Sequence, residues 1–306
     1  MPLIPKPTPI TAPLWLTTGW LLLNDVANAQ LPFNLTQPAP GVFVHLGQQV
    51  SPEAAGHDDI ANIGFIVGKT CIAVIDTGGS VDVGRALRAA IRQHSAFPIC
   101  YVINTHVHFD HVLGNATFAD DHVSFVGSAT LATEMKRSES FFFQNYGART
   151  VIGPDRPVEK DLTLDLGGRR LSLKAWPTAH TNCDLTVVDE TTGTLWAGDL
   201  LFRERLPALD GSAKGWLAAI ADLERWRAKL TVPGHGALAR DLPAALAPEQ
   251  HYLQALVDSI RIDLKKGISL QSALGEAADS ERGTWLLWDE VHPRNVARVY
   301  QELEWE

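Results

Sequence analysis

Cysteine is scarce in this chain: there are three, Cys71, Cys100 and Cys183, with no Cys-x-x-Cys pair among them. That spacing offers neither a thiolate zinc site nor a disulfide framework. Cys71 and Cys100 both sit in apolar runs of strand character and are expected to be small buried hydrophobes. Basic clusters are missing too. Lys and Arg number 26 against 35 Asp and Glu, a formal net charge of -9. With no basic stripe, neither nucleic acid nor an anionic membrane surface is an expected partner. Low-complexity tracts and short repeats are also lacking. The N-terminal apolar stretch, Ile10 to Leu23, is too short to span a bilayer comfortably and is interrupted by Pro13.

That stretch has a different signature. Lys6 is the one charge before it, and Ala27-Asn28-Ala29 follows, then Gln30. A short apolar region ahead of an A-x-A site is the pattern of a secretory signal peptide. Cleavage is expected after Ala29, giving a periplasmic or secreted protein without stable membrane insertion. The remainder has ordinary globular composition, 45% apolar and 20% charged. Residues 30–245 are expected to form the main domain, and 246–306 a helical extension packed on it.

Apolar periodicity gives the elements. Val42 to Leu46 alternates. Ile63 to Val67 and Cys71 to Ile75 flank a turn at Gly68-Lys69-Thr70, after a Pro-containing linker from Leu31 to Gly41. Helical spacing runs from Val83 to His94, and Ile99 to Asn104 is a compact strand. The second half repeats the theme: Leu162 to Leu166, Leu171 to Trp176, Leu185 to Val188 and Thr194 to Ala197 read as strands. A helix is predicted over Trp216 to Lys229, a strand over Leu230 to Val232, and amphipathic helices over His251 to Lys265 and Asn295 to Trp305. Strands and helices mixed in two similar halves imply an α/β sandwich of two sheets with helices outside.

The densest chemistry is Thr105-His106-Val107-His108-Phe109-Asp110-His111, directly after a buried strand. Residues two apart in extended chain point the same way, so His106 and His108 can converge on one ion. Asp110 and His111 follow as the chain turns and face an adjacent ion. So many titratable groups would be costly to bury without metal or pairing. His180, Asp199 and His235 each follow or end a further predicted strand beside small residues that permit close approach.

With these residues in this order, the chain resembles the metallo-β-lactamase superfamily. The resemblance covers roughly Leu35 to Ala239 and includes the early motif Ile75-Asp76-Thr77-Gly78. It implies that His106, His108 and His180 bind a first metal and Asp110, His111 and His235 a second, with Asp199 bridging. Asp76 would hold a ligand loop in place. The implied fold is the αβ/βα sandwich. Imidazole and carboxylate suit two zinc ions, with iron or manganese as alternatives. Water activated between two such ions, as a bridging hydroxide, would attack a carbonyl or phosphoryl centre of a small-molecule substrate. Asp110 is the expected catalytic residue, orienting the nucleophile and relaying a proton.

The segments Asp59 to Phe65, Trp176 to Thr181 and Asn295 to Glu306 further resemble exported zinc hydrolases encoded with quinoprotein dehydrogenase systems. These are the quinoprotein relay system zinc metallohydrolases, related to SoxH-type proteins. The expected activity is hydrolysis of an ester, thioester or amide. The alternatives are a persulfide dioxygenase-like enzyme with a single iron and a non-catalytic carrier for a redox cofactor. Fold kinship does not transfer substrate, so β-lactam hydrolysis is a weak expectation. Phe141, Phe142 and Phe143 are either a helix packing on the sheet or an apolar substrate wall. Cys183 is either a packing residue or a thiol at the site. His57-Asp58-Asp59 is a polar loop able to border the active-site mouth.

Overall fold

The central strand segments are apolar on both faces, as sheets covered on both sides require. In β4 (Ile72–Ile75) all four residues are buried. Ile72 and Val74 pack under helix α1 (Val81–His94) with Leu87 and Ile91, whereas Ala73 and Ile75 face a second sheet alongside Leu171, Val187 and Trp196. Successive side chains of a strand point to opposite faces, so one short strand serves two cores.

The computed structural model describes Leu3, residues 33–51 and residues 58–306. Apart from Leu3, the leader expected over residues 1–29 lies outside the described residues, as does His57. The first sheet runs β1 (Leu35–Ala39), β2 (Val42–His45), β3 (Ile63–Val67), β4, β5 (Ile99–Ile103), β6 (Ser124–Ser128) and β7 (Arg156–Val158), in chain order from edge to edge. It is antiparallel up to β4 and parallel from β4 to β7. The second sheet contains β8 (Asp161–Asp165), β9 (Arg170–Ala175), β10 (Leu185–Asp189), β11 (Thr194–Phe202) and β12 (Leu230–His235), and only the β11/β12 pair is parallel. Between β5 and β6 lies the short α2 (Phe109–Val112), and α3 (Leu131–Tyr146) follows β6. α4 (Ala213–Leu223), α5 (Leu242–Lys265), α6 (Leu270–Glu276) and α7 (Trp288–Leu303) follow β11. Trp216, Leu246, Leu253, Leu256 and Val296 share one core with Leu201 and Phe202 of β11, so α4, α5 and α7 cover the outer face of the second sheet. The expected αβ/βα sandwich is the observed fold.

Boundaries shift for identifiable reasons. The helix expected over Trp216 to Lys229 spans Ala213–Leu223, because the Ser212 side chain caps it by accepting from the Gly215 N–H. The linker expected before Gly41 contains β1. Phe33–Glu306 form one compact unit, and α5 runs across residues 245 and 246, with Leu242, Ala245 and Leu246 all buried in its core. No described helix is long and apolar enough to cross a membrane.

The cysteine expectation is overturned. Cys71 and Cys100 form a disulfide, with Cα atoms 5.8 Å apart. Cys71 immediately precedes β4 and Cys100 lies in β5; these are parallel neighbours, which brings residues 29 apart in sequence within bridging reach.

Candidate metal centre

The candidate ligands come from the segments after β5 and β9, from within β11 and from the end of β12. β5 leads through Asn104 and Thr105 into His106 and His108, and α2 carries Asp110 and His111. His180 lies in the connection between β9 and β10, Asp199 is within β11, and His235 ends β12. Cross-sheet hydrogen bonds tie these segments together: Leu185 N–H donates to Thr105 O at 2.8 Å, and Asn62 N–H to Gly234 O at 2.8 Å.

Seven side chains converge in two groups. In one, His106, His108, His180 and Asp199 bring their ligand atoms within 4.8 Å of one another; in the other, Asp110, His111 and His235 do the same. His108 Nδ1 lies 3.1 Å from His106 Nε2 and 3.0 Å from His180 Nε2. Asp199 Oδ2 is 3.5 Å from His106 Nε2 and 3.4 Å from His180 Nε2. The same oxygen is 3.3 Å from His235 Nε2, while Asp199 Oδ1 is 3.2 Å from His111 Nε2. Asp199 therefore belongs to both groups. Ligands held tetrahedrally at 2.0–2.1 Å from a zinc ion are spaced by about 3.3 Å, which is the spacing seen. His111 Nε2 and Asp199 Oδ1 are buried without any hydrogen-bond partner despite their proximity. They are aimed at a common point rather than at each other, so the donor set fits a pair of divalent cations.

The opposite nitrogen of every ligand imidazole is held by an acceptor. His111 Nδ1 donates to Asp76 Oδ2 at 2.8 Å and His235 Nδ1 to Ile60 O at 2.8 Å. His180 Nδ1 donates to Ala208 O at 2.6 Å, and His108 Nε2 to Asp210 Oδ2 at 2.7 Å. Thr105 Oγ1 gives its proton to Asp76 Oδ2 at 2.7 Å and so accepts from His106 Nδ1 at 3.0 Å. These bonds fix the tautomers that leave a lone pair facing the centre. Asp76 also accepts the Thr105 N–H at 2.8 Å. It sits at φ 54°, a left-handed conformation that Asp tolerates better than most residues.

Backbone geometry is equally constrained. A Cβ on Gly234 would lie 1.8 Å from Asp199 Oδ1, so only glycine can pass beneath the bridging carboxylate. Asn62 Nδ2 donates to Pro233 O at 2.9 Å and Gly236 O at 2.8 Å, clamping the turn that carries His235. Thr181 N–H and its hydroxyl both donate to Asp184, which holds the loop after His180. Burial pushes the Asp184 carboxyl up to about 7.

The electrostatics match a cation site. Burial lowers His106, aided by the neighbouring His111, and pushes His180 down to about 4. Both imidazoles are thus held neutral, as ligands must be. Burial alone would raise Asp199, but His235, His111 and His106 outweigh it and hold the carboxyl well below its usual range. His111 shows the reverse balance: burial disfavours its charge, yet Asp199, Asp110 and Asp76 together raise it well above the ordinary histidine value. Three carboxylates around one imidazole make a negative pocket that a divalent ion would neutralise.

A cavity of about 470 Å³ opens onto the centre, lined by Asp110, Phe141, Phe142, Tyr146, Arg205 and Asp210, among others. Phe141 and Phe142 therefore stand where a substrate wall was expected. Phe143 does not: it is 58% exposed and borders a separate hollow with Glu139 and Gln144. Successive residues of α3 are turned about 100° apart, so three consecutive rings cannot share one face. Cys183 is buried among Val112, Leu131 and Phe142, and burial raises its thiol to about 12, which makes it a packing residue. Sequence reasoning missed Asp210, Asn62, Asp184 and Arg205. Asn62 lies in a segment already singled out, whereas no sequence signal distinguishes Asp210 or Arg205 from surface charges.

Comparison with known proteins agrees with this geometry. Residues 57–235 match the metallo-beta-lactamase superfamily. No curated protein matches the chain. Among solved structures, a metallo-beta-lactamase from Pontibacter korlensis has TM-score 0.62 at 22% identity, covering 72% of this chain and 98% of its own. The stereoselective inverting sec-alkylsulfatase Pisa1 from Pseudomonas sp. has TM-score 0.70 at 17% identity over 88% of this chain, which spans 50% of that enzyme's length. TMB-1 has TM-score 0.59 at 18% identity, covering 72% of this chain and 96% of its own. With a matched stretch of more than half its residues and the sandwich fold in common, the chain belongs to the metallo-beta-lactamase superfamily.

Proposed function

We propose that this protein is an exported hydrolase that uses a dinuclear, zinc-type centre to cleave an ester, thioester or amide bond. The observation that carries the reading is Asp199. Its two carboxylate oxygens are shared between both ligand groups, with His111 Nε2 and Asp199 Oδ1 left unpaired beside an open cavity. Bound there, a pair of divalent cations would supply Lewis acidity and bring the pKa of a water from about 15.7 toward neutrality. The protein's own residues then have separable tasks. Asp110 Oδ2 lies 3.4 Å from His235 Nε2 and 3.6 Å from His111 Nε2 and faces the cavity. There it orients the attacking water, takes its proton and returns it to the leaving group. Phe141 and Phe142 exclude bulk water from one side and receive an apolar part of the substrate.

The second group, Asp110, His111 and His235, favours two ions over the single iron of a persulfide dioxygenase-like enzyme. Export is supported by the A-x-A pattern at Ala27 to Ala29 and by the Cys71–Cys100 disulfide, since such bonds persist in oxidising compartments. The resemblance of the Asp59 to Phe65 and tail segments to zinc hydrolases of quinoprotein dehydrogenase systems supports a role beside such a system.

Metal analysis of the purified protein, paired with a panel of esters, thioesters, amides and β-lactams, tests the reading. Two zinc ions per chain and turnover of at least one panel member are expected. Asp199→Ala should lower metal content toward one ion, because it removes a ligand from both groups. One iron per chain without hydrolysis would replace this reading with oxygen chemistry. Full metal loading with no turnover would point to a carrier role.

A further inference from the structure

The cavity is lined both by aromatic side chains, Phe141, Phe142 and Tyr146, and by three arginines, Arg205, Arg294 and Arg298. Arg205 is 4% exposed, yet its Nε has no hydrogen-bond partner; Asp110, Asp199 and Glu290 act on its charge through space, but among the described residues none forms an ion pair with it. His235 Nδ1 lies 3.4 Å from its NH1. That nitrogen carries the proton it donates to Ile60 O, so it cannot accept from Arg205. A buried, unpaired guanidinium is costly to maintain. The backbone nonetheless holds it in place: Arg205 forms a bridge with Leu286, where Leu206 N–H donates to Leu286 O at 2.9 Å.

Arg294 and Arg298 come from α7, one helical turn apart and so on one face. Arg298 Nε donates to Gly211 O at 2.7 Å, which aims the rest of its guanidinium. α7 is seated against residues 205–213. Asn295 accepts the Leu209 N–H at 2.9 Å and donates to Pro207 O at 2.7 Å, and Glu302 accepts from Ser212 Oγ at 2.6 Å. The C-terminal helix, which lies beyond the superfamily match at residues 57–235, therefore builds part of the cavity.

Neutralising the ligand set does not explain these arginines. Glu290 acts on Arg205 and Asp210 on Arg294 through space, besides the candidate ligand carboxylates Asp110 and Asp199; two divalent cations bound at the centre would already match the charge of these carboxylates, so the guanidinium groups would remain in surplus. We propose that Arg205, Arg294 and Arg298 form an oxyanion-recognition subsite, so that the substrate is amphiphilic, with a carboxylate- or sulfate-type anionic group on the arginines and an apolar portion against Phe141 and Phe142. This rests on the metal-dependent hydrolase reading for its charge balance. Guanidinium suits such groups because its fork of donors matches two oxygens at once.

The test is binding of three eight-carbon probes to the metal-loaded protein by calorimetry: octanoate, octyl sulfate and neutral octanol. The wild type is expected to bind at least one anion about tenfold or more tightly than octanol, the value of one charge-assisted contact. Preference for octanoate assigns a carboxylate, and preference for octyl sulfate assigns a sulfate-type group. Arg205→Gln should abolish most of that preference. Because Arg205 is buried, the double variant R294Q/R298Q, at exposed positions, provides a second arm whose fold is not at risk. It should reduce the preference several-fold while octanol binding stays constant. Equal affinity for all three probes, or a preference untouched in both variants, overturns the subsite; the latter would mean that the metals alone hold the anion. Since the readout is binding, absence of hydrolysis would count against the proposed activity and not against the subsite.

Discussion

Asp76 shows how one side chain can govern a centre it does not enter. Its two oxygens take the His111 imidazole, the Thr105 hydroxyl and the Thr105 N–H, and through Thr105 they also set the His106 tautomer. Asp76→Asn should keep the left-handed backbone, which Asn also tolerates, while losing the carboxylate that orients His111. Metal affinity is expected to fall about 10- to 100-fold, the usual effect of removing such a partner, with the circular dichroism spectrum unchanged. Competition against a chelating dye measures it, and wild-type affinity would show that His111 is positioned by other means. Gly234 is the complementary case: what matters there is the lack of a side chain, because any Cβ would displace Asp199.

At the scale of elements, α5 meets β11 through a buried carboxyl. Glu249 is fully buried; its Oε1 accepts the Phe202 N–H at 3.0 Å and its Oε2 has no partner. Burial raises its pKa well above the usual carboxylate value. The folded state then holds a proton that the unfolded chain, with its ordinary Glu pKa of about 4.3, releases. Stability contributed by this group is present below the unfolded value and declines as pH rises toward the folded value. Glu249→Gln keeps an acceptor for Phe202 and removes the titration. The variant should match the wild type near pH 4 and be increasingly more stable as pH rises toward 8, read as a growing difference in Tm. A pH-independent difference would show that Glu249 is ionised in the fold.

At the scale of the whole molecule, among the described residues two cores lie outside the sheets, one lies between them, and a fourth gathers Phe109, Leu131, Met135 and Phe142, with the candidate metal centre at the edge where both sheets open. The Cys71–Cys100 bond pins neighbouring strands of the first sheet, closing a loop of 29 residues. By loop-closure entropy it should contribute about 3–4 kcal/mol. Reduction is expected to lower the denaturant midpoint accordingly. Thiol titration of the denatured chain should count one reactive cysteine, Cys183, before reduction and all three after it. Three before reduction would refute the pairing.

The seven side chains that converge were legible from sequence because their information is local. Four of the seven candidate ligands fall within six consecutive residues, and the other three follow or end strands predicted from apolar periodicity. The sandwich class followed for the same reason, since alternation along each strand records which faces are covered. Phe143 could have been separated from Phe141 by helical phase alone. Other features depend on which strands and helices become neighbours, and no single segment encodes that. Cys71 meets Cys100 only once β4 and β5 pair in parallel. Asp210 reaches His108 across 102 residues. Arg205 gains its company only when α7 docks against the segment after β11. Short-range pattern determined which atoms can bind metal; long-range packing decided what orients them and what surrounds the substrate.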